Sequence, residues 1–176
     1  QFTLIPNMTV LENLVISKAK LDPIINWQQE EHQLTQFMDT MPFKVSLSTR
    51  VSSLAAGEKQ KVEILKQLAL RNRILILDEP TSVLTPQEAD EVLGHLRAMT
   101  LAKQVSVLII THKLREVAAF ADEVTVLRKG QFVGSGNVSE LNVSQMAEMM
   151  VGSEVTAKPK QRTVLSKKVP KLVLHD

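Results

Sequence analysis

Two adjacent carboxylates, Asp78 and Glu79, follow directly after four aliphatic residues, ILIL at 74–77. A continuous apolar run is typical of a strand covered on both faces, as in a parallel sheet. Such a strand would place both acids at the carboxyl edge of the sheet, where α/β proteins bind their ligands. There Asp78 is suited to ligate Mg²⁺, directly or through water, and Glu79 to polarise an attacking water. Adjacent acids in a polar turn are common, but the aliphatic run and the following Pro80-Thr81 favour the functional interpretation.

A second candidate segment is residues 54–60, LAAGEKQ, which opens a helix that runs to about Leu70. Small residues at a helix N-terminus let a phosphate approach the free N–H groups and the positive end of the helix dipole. Taken alone, this composition is more typical of an ordinary helix start. Its position roughly 20 residues before the acidic strand favours a phosphate contact.

The spacing of apolar residues predicts alternating strands and helices through the middle of the chain. The run at 105–110 is typical of a second buried strand, and Thr85-Pro86-Gln87-Glu88 has the spacing of a capped helix start, for a helix to about Leu101. The alternation predicts βαβ units on a mostly parallel sheet, which is an α/β fold. The remaining predictions are a helix at 113–121, strands at 124–127 and 132–133, and a last short helix that is capped by Ser144 and ends near Gly152.

The first 50 residues or so are predicted to be helical, without a buried strand. Thr9 and Glu12 have the capping-box spacing, which predicts a helix to about Lys20. Residues 24–41 predict a second and more polar helix. The chain therefore reads as a helical subdomain joined to an α/β core.

Composition is that of a soluble globular protein, with 44% hydrophobic and 23% charged residues in a chain of 176. Without cysteine, the chain has no disulfide or thiolate metal site. The net charge of +2 comes from the tail, because residues 153–176 hold six of the 21 basic side chains but only two of the 19 acidic ones. A chain with 3% aromatic residues and no basic excess in its body is not expected to bind nucleic acid.

The order of these segments resembles that of the nucleotide-binding subunits of ABC transporters. A signature-like LAAGEKQKVEILK, then ILILDEPTS, then Thr111-His112 after VSVLII follow one another as in that family. The resemblance covers roughly residues 1–152, and THKLREVAAFADEVTVLRKGQFVG looks like the importer branch for simple sugars and nucleosides. It implies a partial P-loop NTPase core with an α-helical subdomain.

The resemblance also implies ATP and Mg²⁺ as cofactors and a role for individual residues. Asp78 would ligate Mg²⁺, Glu79 would act as the general base toward water, and His112 would hold the γ-phosphate and the water in line. Gln1 falls where the family has a glutamine that touches Mg²⁺ and reports to the membrane subunit. The signature residues that would contact nucleotide are Leu54, Ala55, Ala56, Gly57 and Glu58.

Histidine at the end of a strand more often makes only a local hydrogen bond. For His112, the preceding threonine and the buried strand favour the functional role. The other three histidines, His32, His95 and His175, have no such context and are predicted to be surface residues.

The chain departs from the family pattern at three places. The phosphate loop G-x-x-x-x-G-K-[ST] is absent, since none of the six glycines begins it; the sequence is therefore expected to start in mid-protein and, alone, to bind ATP weakly or not at all. Ala55 stands where the family usually has a serine that contacts the partner domain's ATP, and losing such a bond costs about 1.5–3 kcal/mol. Thr85 replaces the usual Asp. Because Ala55 would face the ATP bound by the partner domain, that second ATP site is expected to be weaker than the one that contains Asp78, Glu79 and His112.

The domain organisation implied by the resemblance is a C-terminal portion of a nucleotide-binding domain at 1–152, with the helical subdomain at about 7–70 and the α/β core at about 71–152. A basic linker at 153–169 and the start of a second such domain at 170–176 would follow. The expected partners are transmembrane permease subunits and a second nucleotide-binding domain, head to tail and on the same polypeptide, at the cytoplasmic face of the cell membrane.

Two other classes of protein remain open. A soluble ABC ATPase of translation or DNA repair shares the same motifs without a permease, although such proteins tend to carry basic or coiled-coil insertions. An interaction module without catalytic activity is the third class.

Overall fold

The computed structural model describes residues 3–18 and 20–152. The predictions for Gln1, for the linker at 153–169 and for residues 170–176 therefore lie outside the described residues. Within them the elements are α1 (Val10–Ile16), α2 (Trp27–Asp39), α3 (Ala56–Ala69), β1 (Ile74–Asp78), α4 (Pro86–Leu101), β2 (Ser106–Ile110), α5 (Leu114–Phe120), β3 (Glu123–Arg128), β4 (Gln131–Asn137) and α6 (Val143–Val151), with 3₁₀ turns at Val51–Ser53 and Val138–Glu140.

Helix α1 begins with the capping box that its sequence predicts. The hydroxyl of Thr9 accepts from the Glu12 N–H at 3.2 Å, and the Glu12 carboxylate accepts from the Thr9 N–H at 2.6 Å. The helix is shorter than predicted and ends at Ile16, and α2 begins later than predicted, with Asn26 as its cap. The predicted helical character of this region is confirmed.

One hydrophobic core joins the helical region to the sheet. It includes Leu14 of α1, Leu65 of α3, Leu75 of β1 and Leu93 of α4, each at most 2% exposed. The contribution of α3 to this core comes from residues 62–68, in the second half of the helix.

Strands β1 and β2 pair in parallel, from Ile74 opposite Ser106 to Asp78 opposite Ile110. The unit β1–α4–β2 confirms the predicted βαβ arrangement. Strand β3 instead pairs antiparallel with β4, so the described residues do not form the second βαβ unit that the alternation suggested. The turn between these strands contains Lys129 and Gly130, both at positive φ, which is the backbone of a tight hairpin.

The prediction that β1 is covered on both faces is wrong for the described residues. Leu75 and Leu77 point into the core, whereas Ile74 and Ile76 are 67% and 65% exposed. On β2, Leu108 and Ile110 are also more than half exposed. An unbroken aliphatic run shows that a strand is apolar on both sides, but it does not show which side the described elements cover.

Two further predictions need correction. The cap of α6 is Asn142, not Ser144: its side chain accepts from the Gln145 N–H at 2.8 Å, and Gln145 accepts from the Asn142 N–H at 2.9 Å. His95 is partly buried rather than a surface residue. Its Nε2 has no hydrogen-bond partner among the described residues, and burial lowers the pKa of its imidazole.

The prediction for His32 is confirmed, because this side chain is exposed and its hydrogen bond within residues 3–18 and 20–152 is to Gln36 on the same helix. His175 lies outside the described residues. No helix in the described part of the chain is long and apolar enough to cross a membrane.

Candidate functional site

The carboxyl ends of β1 and β2 lie side by side. Asp78 is opposite Ile110 in the parallel register, so the acids after β1 and the Thr111-His112 pair after β2 emerge at the same sheet edge. Asp78 is exposed there. The structure thus brings Asp78 and Glu79 to the same sheet edge as His112, which lies more than 30 residues later in the sequence.

Glu79 and His112 are in direct contact, with 2.7 Å between Glu79 Oε1 and His112 Nδ1. A carboxylate at Nδ1 keeps the imidazole proton on that nitrogen and leaves Nε2 free to face a ligand. The second oxygen of Glu79, Oε2, is buried and has no partner among the described residues. The pair therefore offers an orienting contact at one oxygen, and the other oxygen is shielded from solvent in this conformation.

Glu79 has a strained backbone, with φ at +45°. This left-handed conformation costs a non-glycine residue on the order of 1–2 kcal/mol. Two backbone bonds hold it: the Glu79 N–H donates to the Ile110 carbonyl at 2.8 Å, and the Ser82 N–H donates to the Glu79 carbonyl at 3.1 Å. Strain of this kind persists where the surrounding structure fixes it and concentrates at functional sites.

Next to this pair in sequence lies a polar cluster of Thr81, Lys113 and Glu116, in which Thr81 and Glu116 are buried. Thr81 is fully buried, and its hydroxyl lies 2.8 and 2.9 Å from the two carboxylate oxygens of Glu116. Lys113 Nζ donates to the Thr81 carbonyl at 2.8 Å and lies 3.2 Å from Glu116. Sequence reasoning missed Lys113 and Glu116, because charged residues at the start of a short helix look like a solvated face. The signal was their position just after His112.

The start of α3 is built differently. Ala55 occupies the N-cap position and has no side-chain acceptor, so α3 has only half a capping box: Glu58 accepts from the Ala55 N–H at 2.8 Å. Leu54 is buried in the core, so only its backbone is available to a ligand. Ala55, Ala56 and Glu58 are exposed.

Gly57 lies against the turn that follows β1. A Cβ at this position would stand 3.3 Å from the Val83 carbonyl oxygen, which is closer than an ordinary contact. Among the described residues, no hydrogen bond joins residues 54–58 to Glu79 or His112. The structure therefore places the signature-like segment beside the turn after β1, but not in the Glu79–His112 pair.

An ion pair connects α3 to α4 next to that turn. Lys61 Nζ lies 2.6 Å from the Glu88 carboxylate, which also accepts a hydrogen bond from the N–H of Thr85, the N-cap of α4. The pKa of Glu88 is lowered to about 2, mainly by the hydrogen bond from Lys61 and then by the hydrogen bonds from Thr85. Both helix starts are therefore anchored to one ionised carboxylate.

The described residues contain no cluster of three or more acidic or histidine side chains that could hold a metal ion. A single exposed carboxylate, Asp78, is still suitable for Mg²⁺, which typically takes one or two protein carboxylates and fills its other positions with water and phosphate oxygens. The donor set at this edge fits a magnesium ion bound together with a nucleotide.

Comparison with known proteins identifies the family. Residues 1–82 match the family model described as ABC transporter. A glucose import ATP-binding protein of Haloferax volcanii is 46% identical over 125 residues, covering 71% of this chain and 22% of that protein. A ribose import ATP-binding protein of Rhodopirellula baltica is 36% identical over 163 residues, covering 92% of this chain and 32% of that protein. The chain belongs to the ABC transporter family. A xylose import ATP-binding protein of Moorella thermoacetica is also 36% identical and covers 88% of this chain.

This ABC family chain spans about a fifth to a third of the length of these curated relatives, from 22% to 32%. Among solved structures, a bacterial ABC transporter cassette in dimeric form superposes with a TM-score of 0.69 at 21% identity, covering 78% of this chain and 60% of that one. An ATP-binding cassette in a post-hydrolysis state, bound to ADP and Pi, gives a TM-score of 0.65 at 22% identity. These likenesses confirm the predicted α/β, P-loop NTPase fold class.

Proposed function

We propose that the chain is part of the ATP-binding subunit of a sugar importer, in which ATP binding and hydrolysis drive solute uptake. The observation that carries the proposal is the 2.7 Å contact between Glu79 and His112 at the carboxyl ends of two adjacent parallel strands. Relatives of this chain that are named for glucose, ribose and xylose import support the class of solute. Nucleosides are the alternative solute.

In this proposal Asp78 holds Mg²⁺ at the sheet edge, with Gln1 as a further contact. When bound, the ion would neutralise charge on the phosphates. Glu79 accepts the proton of the attacking water through its carboxylate. His112 is oriented by Glu79 at Nδ1 and uses Nε2 to hold the γ-phosphate in line.

Residues 54–58 are proposed to contact the ATP of a second nucleotide-binding domain, from the N-terminus of α3. Ala55 supplies no hydroxyl there, so the site it completes is the weaker of the two. The further partners are transmembrane permease subunits, which would place the protein at the cytoplasmic face of the cell membrane as a peripheral component. Names of import proteins among the relatives favour this arrangement over a soluble ABC ATPase of translation or DNA repair.

Deletion of the gene in its own organism tests the solute class. Uptake of labelled glucose, ribose, xylose and nucleosides is measured in the deletion strain, with complementation by the intact gene and by a gene with Glu79→Gln. We expect uptake of one sugar to be lost and to return only with the intact gene. Unchanged uptake of every solute, together with a defect in translation or in survival of DNA damage, would overturn the import proposal.

A further inference from the structure

The contact between Glu79 and His112 is not fixed by burial of the imidazole. The His112 side chain is 72% exposed, and the Glu79 side chain is 33% exposed. An exposed side chain keeps its rotamer freedom unless something orders it. The structure that holds the two residues 2.7 Å apart must therefore lie in the backbone segments that carry them.

The polar cluster of Thr81, Lys113 and Glu116 connects these two segments. Thr81 stands two residues after Glu79, and Lys113 directly follows His112. Lys113 Nζ reaches across to the Thr81 carbonyl at 2.8 Å and its hydroxyl at 3.1 Å, while Thr81 donates to Glu116. The segment that carries Glu79 is thus bonded to the segment that carries His112 through Thr81 and Lys113.

Burial makes this connection hard to loosen. Thr81 is 0% exposed, and Glu116 is 6% exposed. A buried carboxylate is tolerated only while it is paired and hydrogen-bonded, and removing one partner is strongly destabilising. If the turn after β1 moved away from the start of α5, Glu116 would lose Thr81, and Lys113 would lose both of its oxygen partners on Thr81.

The start of α5 adds a second constraint. The Lys113 N–H donates to the Thr111 hydroxyl at 3.1 Å, and the Glu116 N–H donates to the Lys113 carbonyl at 2.9 Å. These local bonds set the direction in which the chain leaves β2, and therefore where His112 stands.

We propose that Thr81, Lys113 and Glu116 are positioning residues that hold Glu79 and His112 in contact. None of the three needs to touch the nucleotide. The consequence for ATP hydrolysis rests on the proposed function, whereas the effect on the contact itself does not. Loss of the Thr81 hydroxyl should free the turn after β1 and let His112 leave Glu79.

The test is the tautomer of His112 in the complete chain, measured by long-range ¹H–¹⁵N NMR about two pH units above the ordinary imidazole pKa. Contact with Glu79 gives the Nδ1–H form, whereas an exposed imidazole without it favours Nε2–H. Glu79→Ala supplies the spectrum without the contact, and His112→Asn assigns the signal. Thr81→Val should shift His112 toward the Nε2–H form, and Thr81→Ser, which keeps the hydroxyl, should retain Nδ1–H.

Thr85→Val is the matched control, because it removes the same group from an exposed helix cap elsewhere and should leave the His112 signal unchanged. If Thr81→Val does not fold, Lys113→Met replaces it, since Lys113 is 32% exposed and its loss should give the same shift. Retention of the Nδ1–H form in the folded variant, or an equal shift in Thr85→Val, would overturn the proposal.

Activity then separates the two proposals. In the full-length protein, Thr81→Val should lower kcat by about 10- to 100-fold, because misplacing a reacting group has effects of that size, and Thr81→Ser should restore it. A shifted His112 signal with unchanged turnover would support the positioning role and show that the proposed roles of Glu79 and His112 in hydrolysis are wrong.

Discussion

Two segments of this molecule are proposed to meet ATP, and they are built in opposite ways. The turn after β1 is held by the polar cluster of Thr81, Lys113 and Glu116. Within this turn, Glu79 keeps a strained φ of +45°. The start of α3 has no buried polar group. The Ala55 N–H donates to Glu58, Gly57 packs against Val83, and an ion pair joins Lys61 to Glu88.

This difference matches the tasks proposed for the two segments. A general base must keep its distance and angle to water within narrow limits, because small misplacements lower rates steeply. A helix N-terminus that meets a phosphate from another domain acts through its N–H groups and dipole, which need no particular side chain. The second segment therefore tolerates alanine where a hydroxyl would add a contact.

The largest expected effect is in the first segment. Glu79→Gln keeps an oxygen for the hydrogen bond to His112 but cannot take a proton from water. We expect ATP turnover by the full-length protein to fall by about 100- to 10,000-fold, while equilibrium binding of a fluorescent ATP analogue persists. Glu91→Gln, on the exposed side of α4, is the matched control and should leave turnover unchanged. Normal turnover in Glu79→Gln would rule out Glu79 as the base.

Thr85→Ala gives the next largest effect, at the helix that follows this turn. Thr85 accepts from the Glu88 N–H at 3.3 Å and completes a capping box at the start of α4. Removing such a cap costs about 1–2 kcal/mol of unfolding free energy. Urea denaturation of the chain should show a lower midpoint with an unchanged slope, and Thr85→Ser should be close to wild type. An equal loss in both variants would mean that the hydroxyl does not cap α4.

Ala55→Ser is the reverse experiment at the start of α3. The backbone of Ala55 is already extended, with φ of −65° and ψ of 161°, as an N-cap requires. A serine hydroxyl would complete the half capping box, and we expect a gain of about 0.5–1 kcal/mol in unfolding free energy. Ala55→Val, which adds bulk without an acceptor, is the control and should show no gain. If serine gave no more than valine, the start of α3 would not be limited by its cap.

Local features of the fold were predictable from the sequence because their causes lie within four residues. The capping boxes at Thr9 and Thr85 follow from one residue and its third neighbour, and the structure confirms both. At α6 the prediction took Ser144 as the cap, whereas the same rule points to Asn142, whose third neighbour Gln145 completes the box. A sequence pattern of four residues predicts well that a helix is present, but it predicts the first residue of that helix less accurately.

Features that depend on distant residues were not predictable. Thr81 and Glu116 are 35 residues apart in sequence, and nothing near either one indicates that both are buried. The open face of β1 depends on which elements pack against it. Asp78 and Glu79 were proposed from their position at the end of an apolar strand, and the role of His112 from the resemblance to ABC transporter subunits. These roles stay proposals until the variants above are measured.

The smallest expected effect concerns the ion pair that connects the two segments. Lys61 is the main cause of the low pKa of Glu88, about 2 against an ordinary value of 4.5. Because this carboxyl has a lower pKa folded than unfolded, its contribution to stability is complete above 4.5 and is lost as pH falls toward 2. Lys61→Met should raise the pKa of Glu88 in ¹³C NMR titration, though not to the ordinary value, since the bonds from Thr85 remain. The variant should therefore lose less stability than wild type between pH 6 and pH 3, whereas Lys59→Met should follow wild type. An unchanged pKa in Lys61→Met would mean that the helix cap alone ionises Glu88, and that the two segments are not coupled through this pair.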